Sequence, residues 1–275
     1  MTSLGAQLSA LTSVADVDDR AVVGFDGSKK DSVAAMADVG AELADLQERL
    51  WAEGTSGGRR SVLLVLQGMD TSGKGGVIRH VAGLVDPLGL AITSFKKPTP
   101  EELEHDFLWR VGKGLPGPGS IGVFDRSHYE DVLIGRVRAL APPEEVERRY
   151  GAINDFEHAY VAGGGTLVKC FLHVGRDTQK ERLEARLDDP TKHWKFNPGD
   201  IDERELWDEY QHAYQLVLDR TSTNEAPWYV VPSGRKWYRN WAVATLLLEH
   251  LRGLDLRWPP ADFDVAEQKA RLASS

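Results

Sequence analysis

The sequence has 275 residues, enough for one α/β domain with a sizeable core or for two small domains. Its formal net charge of −9 argues against general binding to nucleic acids or membranes, while leaving room for a local basic channel. The only cysteine, Cys170, lies in an apolar run and cannot form a disulfide within the chain, which favours a reducing compartment. Residues 1–20 show no leader pattern, and no segment is long enough to span a bilayer. We therefore predict a cytoplasmic protein.

The first part of the chain has only one clear pattern. Residues 1–31 are polar and mixed, which predicts an arm with little core of its own. Apolar residues then recur at helical spacing and predict an amphipathic helix over about 32–52. The flexible segment GTSGGRR follows at 54–60, before the first strand.

The segment from Val62 to Gly76, VLLVLQGMDTSGKGG, has the strongest pattern in the sequence. Its apolar first part predicts a central parallel strand that is buried on both faces. A phosphate-binding G-x-x-x-x-G-K loop runs from Gly68 to Lys74, and residues 77–84 predict a helix. Backbone amides in such a loop bind anions, and the lysine adds a positive charge beside the transferred phosphoryl group. The predicted phosphate-binding residues of this loop are Gly68, Thr71, Ser72, Gly73, Gly75 and Gly76.

The loop lacks one residue of the usual motif. A serine or threonine normally follows the lysine and holds magnesium, but Gly75 stands there in this chain. Asp70, inside the loop, is the nearest replacement. A carboxylate in a phosphate cradle is repulsive unless a cation lies between the two. We therefore predict that Asp70 binds magnesium or acts catalytically beside it.

A second strand is predicted over Leu90–Phe95, followed by Lys96 and Lys97. Open α/β sheets bind ligands at the carboxyl ends of their strands, so both lysines are candidate phosphate ligands. The alternative is two solvated lysines in a loop. Thr99 begins a capping box, and we expect the helix to continue to Val111 before a loop over 112–119.

The third predicted strand, Ile121–Phe124, ends in Asp125. An apolar strand that ends in aspartate downstream of a phosphate loop is the Walker B arrangement, so Asp125 is the second candidate metal ligand. Arg126 can place fixed positive charge on the transferring group. His105 and His128 have no partner at a zinc-binding spacing, and we expect them to pack or hydrogen-bond.

The rest of the chain continues the alternation of helices and strands. Five strands separated by helices predict a doubly wound α/β fold with a five-stranded parallel sheet flanked by helices. The tail after Pro260 is expected to be weakly structured. The remaining predicted helices cover 146–160, 176–187, 206–217 and 237–251, and the remaining strands cover 166–173 and 228–231.

Basic residues follow the fourth strand. Arg186 lies on the predicted helix, and Lys192 and Lys195 lie in the polar stretch after it. A mobile basic lid at about 176–202 would exclude water during phosphoryl transfer. An ordinary exposed helix and loop is the alternative, and we favour the lid. The predicted organisation is an arm at 1–31, a kinase domain at 32–258 that includes the lid, and a tail at 259–275.

Together these motifs resemble the polyphosphate kinase 2 family, which has a P-loop kinase fold similar to thymidylate kinase. The resemblance covers about residues 33–255. It rests on five segments: GMDTSGKGG at 68–76, FKKPTPEELEHDFLWR at 95–110, FDRSHYED at 124–131, ARLDDPTKHWKFNP at 185–198 and PWYVVPSGRKWYR at 227–239.

The resemblance implies reversible transfer of a phosphoryl group between inorganic polyphosphate and AMP or ADP, giving ADP or ATP. It implies Mg²⁺ as the metal, with Mn²⁺ as a substitute, and a homo-oligomer, since members usually form dimers or tetramers. By likeness, Asp70 and Asp125 place the metal and orient the acceptor, while Lys74 and Arg126 stabilise charge on the phosphoryl group. Residues that would contact phosphates are Lys96, Lys97, Arg186, Lys192 and Lys195.

Glu130 lies in the stretch HYED, which resembles the subgroup that accepts both AMP and ADP. Members that prefer ADP tend to have asparagine at this place. Glu130 is therefore the predicted nucleotide-selecting residue.

Two other functions remain open from the sequence. One is an ATP-dependent nucleoside monophosphate kinase on the same fold, against which Gly75 and Asp70 both count. The other is a phosphate- or nucleotide-binding regulator without turnover. The intact set of charged residues in the two motifs argues against a regulator.

Overall fold

The computed structural model describes residues 2–275 and has a five-stranded parallel sheet at its centre. The strand order is β2-β3-β1-β4-β5, and every neighbouring pair is parallel. This confirms the predicted α/β fold, and each predicted strand agrees with the observed one to within one residue at either end. The strands are β1 (Ser61–Gln67), β2 (Leu90–Ser94), β3 (Ile121–Asp125), β4 (Gly165–His173) and β5 (Trp228–Pro232).

Helices connect the strands and cover both faces of the sheet. Short 3₁₀ turns lie between several of them, including Ala82–Leu84, His128–Asp131 and Pro190–Lys195. The α-helices are α1 (Leu4–Ser9), α2 (Asp31–Thr55), α3 (Lys74–His80), α4 (Pro100–Leu103), α5 (Trp109–Gly114), α6 (Ile134–Val137), α7 (Pro143–Ala162), α8 (Arg176–Leu187), α9 (Gly199–Glu205), α10 (Trp207–Thr221), α11 (Lys236–Gly253) and α12 (Val265–Ala273).

Strand β1 is central because all of its residues are buried and it pairs with both β3 and β4. Helices α2, α3 and α11 pack on one face of the sheet, and α7 and α10 pack on the other. Leu4 and Leu8 of the predicted arm are buried against the first of these layers. Each fully buried aliphatic side chain contributes about 1.5–3 kcal/mol to folding, so these two leucines fasten the arm to the domain.

The register of β1 and β3 brings the functional loops together. Leu66 lies opposite Asp125, so the two strands end side by side. The loop after β1 and the loop after β3 therefore leave the sheet as neighbours, at the edge where open α/β sheets bind ligands.

The predicted helix from Thr99 to Val111 is wrong as one continuous element. The capping box forms as expected, with the Thr99 hydroxyl bonded to Glu102 N and the Glu102 carboxylate bonded to Thr99 N. The chain then leaves the helix after α4 and re-enters one at α5. Asp106 causes the break, because its carboxylate accepts from Leu108 N at 3.0 Å and forms a turn that competes with the helix.

Most predicted helices also differ from the observed ones by a few residues at their ends, as for 77–84, which is observed as α3 at Lys74–His80 followed by a 3₁₀ turn. Two segments that were predicted to be irregular contain helix. The expected loop over 112–119 begins later, because α5 continues to Gly114. The tail contains α12, an exposed helix whose N-cap Asp264 accepts from Ala266 N and Glu267 N. The expectation of weak structure was therefore wrong for this part of the tail, since local capping forms a helix without any buried contact.

Within residues 2–275, no helix combines the length and the apolar character that crossing a bilayer requires.

We predict that Cys170 is unreactive in the folded protein. It is fully buried, and burial raises the pKa of its thiol, so the nucleophilic thiolate is neither accessible nor populated at neutral pH. Ellman's reagent should detect no thiol in the native protein and about one per chain in guanidinium chloride, as the single cysteine requires. Rapid labelling of the native protein would contradict this burial.

Candidate active site

The loop after β1 has the strained backbone of an anion cradle. Gly73 adopts φ +109° directly before α3, and Thr71 adopts φ +64°, a conformation that costs a non-glycine residue about 1–3 kcal/mol. The hydroxyls of Thr71 and Ser72 are buried and find no hydrogen-bond partner among the described residues. Buried unpaired donors are uncommon, and here they lie in the loop where phosphate oxygens would accept from them.

Lys74 folds back over its own loop. Its Nζ donates to Gly68 O at 2.6 Å and lies 3.4 Å from Met69 O. The side chain is buried, and burial, followed by the nearby charge of Arg126, lowers the pKa of the ammonium group. The cation is therefore held at the loop by neutral carbonyls, for which an anionic ligand can substitute.

The loop after β3 meets the loop after β1 through an ion pair. Arg126 Nη2 lies 3.0 Å from Asp70 Oδ1, and Arg126 Nε lies 3.9 Å from Glu130 Oε2. Burial alone would lower the pKa of Arg126, but the charges of Glu130, Asp70 and Asp125 outweigh burial and raise it. The guanidinium group therefore stays charged between carboxylates from both loops. Arg126 itself adopts φ +63°, a second strained position at the same edge.

Glu130 is anchored at one end and faces the site at the other. The Gln67 amide, oriented to satisfy both neighbours, donates to Glu130 Oε1 at 3.0 Å and accepts from Ser127 N at 3.2 Å. Burial raises the pKa of Glu130, and the positive charges of Arg126 and Lys74 oppose that shift. Sequence reasoning found Glu130 but not Gln67, whose position at the end of an apolar strand gave no chemical signal.

A cavity of about 710 Å³ opens in front of these loops. Asp70, Lys96, Lys97, Arg126 and Glu130 all line it, so the structure brings these predicted residues together. Its other walls are partly apolar. The apolar walls suit the base and sugar of a nucleotide, and the cations suit its phosphates. The apolar and aromatic lining residues are Met69, Phe95, Pro98, Leu103, Leu133, Ile134, Leu140, Tyr210 and Tyr214.

Arg110 is a lining residue that sequence reasoning did not single out. Its side chain is 9% exposed, and its Nη1 donates to Lys96 O at 2.8 Å. Glu102 and Asp131 flank it at 3.6 and 4.0 Å. Arg110 therefore fixes the turn that carries the two lysines and adds a third cation to that wall. Its position at the end of the motif FKKPTPEELEHDFLWR was the available signal.

The predicted lid residues take up other contacts. Arg186 bonds to Lys195 O at 3.1 Å and pairs with Asp200 at 3.3 Å. Lys192 pairs with Asp189 at 2.5 Å, and Lys195 lies over the ring of Trp194. These three cations lie outside the cavity lining, whereas Asn197, Gly199 and Asp200 from the same segment line it.

Two arginines that were not among the predicted site residues hold the backbone of the phosphate loop. Arg182 Nη1 donates to Thr71 O at 2.8 Å, and its Nη2 donates to Ser233 O at 2.5 Å. Arg239 Nη1 donates to Ser72 O at 3.2 Å. Burial and then Arg182 lower the pKa of Arg239 to about 10, so both guanidinium groups remain charged at neutral pH.

The donor set is compatible with magnesium. Among residues 2–275 no three His, Cys, Asp or Glu side chains gather as a metal cluster. Mg²⁺ does not need one, because it commonly takes one or two carboxylates together with substrate phosphates and water. Asp125, at the end of β3, and Asp70, in the loop after the neighbouring strand β1, provide two carboxylates at this edge of the sheet. The two histidines take the expected roles, since His128 is buried against Glu157 and His105 stacks on Trp109.

A phosphate loop on the central strand, an aspartate at the end of its neighbour and a parallel sheet define a P-loop kinase fold. The family model of polyphosphate kinase 2 matches residues 26–257. The chain belongs to the polyphosphate kinase 2 family.

Relatives and solved structures agree with that assignment. The chain is 46% identical over 244 residues to the AMP/ADP-polyphosphate phosphotransferase of Meiothermus ruber, with 89% of each chain covered. It is 42% identical over 229 residues to the ADP-polyphosphate phosphotransferase of Rhodopseudomonas palustris, with 79% of this chain and 78% of the relative covered. The crystal structure of polyphosphate kinase 2 from Arthrobacter aurescens TC1 has a TM-score of 0.97 and 51% identity, with 100% of this chain and 98% of that chain covered.

The two glycines after Lys74 provide a matched pair of substitutions. A Cβ at Gly75 would meet nothing within 4 Å, whereas one at Gly76 would lie 2.5 Å from Arg239 Nη2. Gly75→Ala should therefore raise the free energy of unfolding by about 0.5–1 kcal/mol through helix propensity. Gly76→Ala should lower it by about 1–3 kcal/mol, because the Arg239 guanidinium is held by hydrogen bonds and cannot move freely. Urea titration checks both, and equal effects would contradict the packing of Arg239.

Proposed function

We propose that this chain transfers phosphoryl groups reversibly between inorganic polyphosphate and AMP or ADP, with magnesium. One observation carries the proposal: a phosphate loop that has Asp70 in place of the usual hydroxyl ligand, paired with Arg126 at 3.0 Å in front of a nucleotide-sized cavity. The relatives described above carry names that state this activity with AMP and ADP or with ADP.

The residues of the two loops divide the work of phosphoryl transfer. This chemistry depends on positioning and charge neutralisation rather than on a covalent nucleophile. The loop amides, the free hydroxyls of Thr71 and Ser72 and the ammonium group of Lys74 would bind phosphate oxygens. Arg126, which lies between the carboxylates of Asp70 and Glu130, would stabilise charge on the transferring group.

Asp70 and Asp125 would hold the magnesium ion. Bound there, the ion would neutralise phosphate charge and help to align the donor and acceptor oxygens. Asp70 now pairs with Arg126, so metal binding would exchange one cation partner for another without leaving the carboxylate unpaired.

Polyphosphate is a dense polyanion, whereas the protein has a formal charge of −9. Binding therefore requires a local basic region. Lys96, Lys97 and Arg110 line one wall of the cavity, and Arg182 and Arg239 place charge behind the loop. Affinity for polyphosphate should weaken as salt rises, through screening and counterion release.

A cytoplasmic location, a homo-oligomer of two or four chains, and a lid at about 176–202 complete the proposal. The arm, kinase domain and tail boundaries at 1–31, 32–258 and 259–275 belong to it as well. The lid is supported by Asn197 and Asp200, two residues of the segment that line the cavity.

The deciding experiment uses the purified full chain with AMP or ADP, magnesium and polyphosphate, and with no other phosphoryl donor. We expect ADP and ATP to form, as measured by chromatography. An ATP-dependent nucleoside monophosphate kinase would form product only when ATP replaces polyphosphate. A regulator would bind without turnover in either mixture.

Removing either cation of the loops should cost much of the activity. We predict that Lys74→Ala and Arg126→Ala each lower kcat by about 10²–10³-fold, because charge stabilisation in the transition state is lost. Arg257→Ala is the control, since that side chain is 81% exposed and remote from the cavity. Losses of tenfold or less in both variants would refute their proposed roles.

Glu130 should influence the choice of acceptor. ADP carries one more phosphate than AMP, so a carboxylate at the cavity wall disfavours ADP electrostatically. We predict that Glu130→Asn raises the ratio of kcat/KM for ADP to that for AMP by about five- to tenfold. Glu101→Asn, at an exposed position outside the cavity lining, should leave the ratio unchanged. An unaltered ratio in the Glu130 variant would exclude this role.

A further inference from the structure

The segment between Arg126 and Glu130 faces the protein interior. Ser127, His128 and Tyr129 are all buried, although the residues on either side of them line the cavity. The Tyr129 ring packs against His128 and Trp228, with ring centroids 4.5 and 4.7 Å away. The buried middle of this loop therefore holds Arg126 and Glu130, at its two ends, against the protein interior.

The polar side chains of His128 and Tyr129 contact a buried ion pair, Glu157 and Lys169. Tyr129 OH donates to Glu157 Oε1 at 2.6 Å, and His128 Nε2 lies 3.2 Å from the same oxygen. Lys169 Nζ donates to Glu157 Oε2 at 2.6 Å, to Tyr129 OH at 3.0 Å and to Thr221 O at 2.7 Å. All three ammonium hydrogens are used, and the lysine is fully buried.

This cluster of Tyr129, Glu157, Lys169 and Thr221 joins four elements. Glu157 lies on α7, Lys169 on the buried strand β4, and Thr221 at the end of α10. Helix α10 also carries Tyr210 and Tyr214, which line the cavity. The cluster therefore links the loop after β3 to β4, to α7 and, through α10, to a wall of the cavity.

A buried ion pair is weak evidence for stability, because its attraction must offset the loss of solvation of both charges. Buried polar contacts do define one arrangement of the chain, since any other arrangement leaves a charge unpaired. Arg126 needs such support. Its left-handed backbone, at φ +63°, persists only if the surrounding structure determines it.

We propose that Tyr129 and the Glu157–Lys169 pair are positioning residues, which hold Arg126 and Glu130 in register with the phosphate loop through the buried hydroxyl of Tyr129. The proposal rests on the function proposed above. None of the three side chains lines the cavity, so they act through the loop and do not touch substrate.

Tyr129→Phe tests the proposal by removing one oxygen while the ring remains packed. We expect kcat for phosphoryl transfer to fall about tenfold while KM for nucleotide and polyphosphate changes less than about twofold. Tyr160→Phe is the matched control, because its hydroxyl bonds only to Ser61 Oγ, at 2.8 Å and at the opposite end of β1. That variant should keep the kcat of the parent protein. Equal kcat in the Tyr129 variant and the parent would overturn the proposal.

A double-mutant cycle separates positioning from a general loss of stability. If Tyr129 acts through Arg126, adding Tyr129→Phe to Arg126→Ala should lower kcat by less than about twofold. A full additional tenfold loss would show that the hydroxyl does not act through Arg126 and would overturn that part of the proposal.

Hydrogen exchange in the free protein provides a readout that needs no substrate. Amides of residues 125–131 should exchange faster in Tyr129→Phe than in the parent, while those of 61–67 in β1 stay protected. Unchanged exchange at 125–131 would overturn the proposal even if activity fell. If the parent protein transferred no phosphoryl group, the proposed function would fail and this measurement would still decide the positioning role.

The paired variant Lys169→Met with Glu157→Leu covers the case in which Tyr129→Phe does not fold. It removes both charges together and keeps the apolar volume, so no buried charge is left alone. We expect faster exchange at 125–131 and the same loss in kcat as for Tyr129→Phe. Parent-like exchange and kcat in this variant would refute the role of the pair.

Discussion

The contact between Asp70 and Arg126 is the interaction on which the site depends. It joins the two loops that leave neighbouring strands, and it exists because β1 and β3 run parallel and end side by side. A slip of one residue in that register would turn the end of β3 to the other face of the sheet and remove Arg126 from the phosphate loop. Strand β1 opposes such a slip, because it is buried and is paired along its length with a neighbour on each side. The chemistry of the site therefore begins in the packing of the sheet.

An acidic protein that binds polyanions must concentrate positive charge without allowing its own carboxylates to neutralise it. Here two of the cations, Arg182 and Arg239, contact the phosphate loop and bond to neutral backbone and amide oxygens, which orient them without cancelling their charge. Arg182 holds Thr71 in this way, and Arg239 holds Ser72. Other cations of the domain, such as Arg186, pair with carboxylates and are partly neutralised. The two arginines at the phosphate loop therefore keep more of their positive charge than arginines that pair with carboxylates.

Sequence reasoning succeeded where a local pattern determines the structure. Apolar runs located the strands, and the phosphate-loop and Walker B patterns selected Asp70 and Arg126, which the structure brings into contact because parallel strands present their ends at one edge. It failed where partners are distant in sequence, as for Arg239, which contacts a loop more than 160 residues earlier. It also failed where two local preferences compete, since Asp106 ends a helix that its neighbours could continue. The tail helix had a visible signal that was overlooked, because Asp264 and Glu267 have the spacing of a capping box.

Lys74 has a consequence for selectivity. Two of its three ammonium hydrogens already face the carbonyls of Gly68 and Met69, so a ligand that displaces a carbonyl gains only the difference between a charged acceptor and a neutral one. A single orthophosphate must displace the carbonyl while making few other contacts. A chain of phosphates displaces it once and makes further contacts along its length, so its binding strengthens with each unit that reaches another cation. If the proposed function holds, a lysine that is folded onto its own loop would favour polyphosphate over orthophosphate.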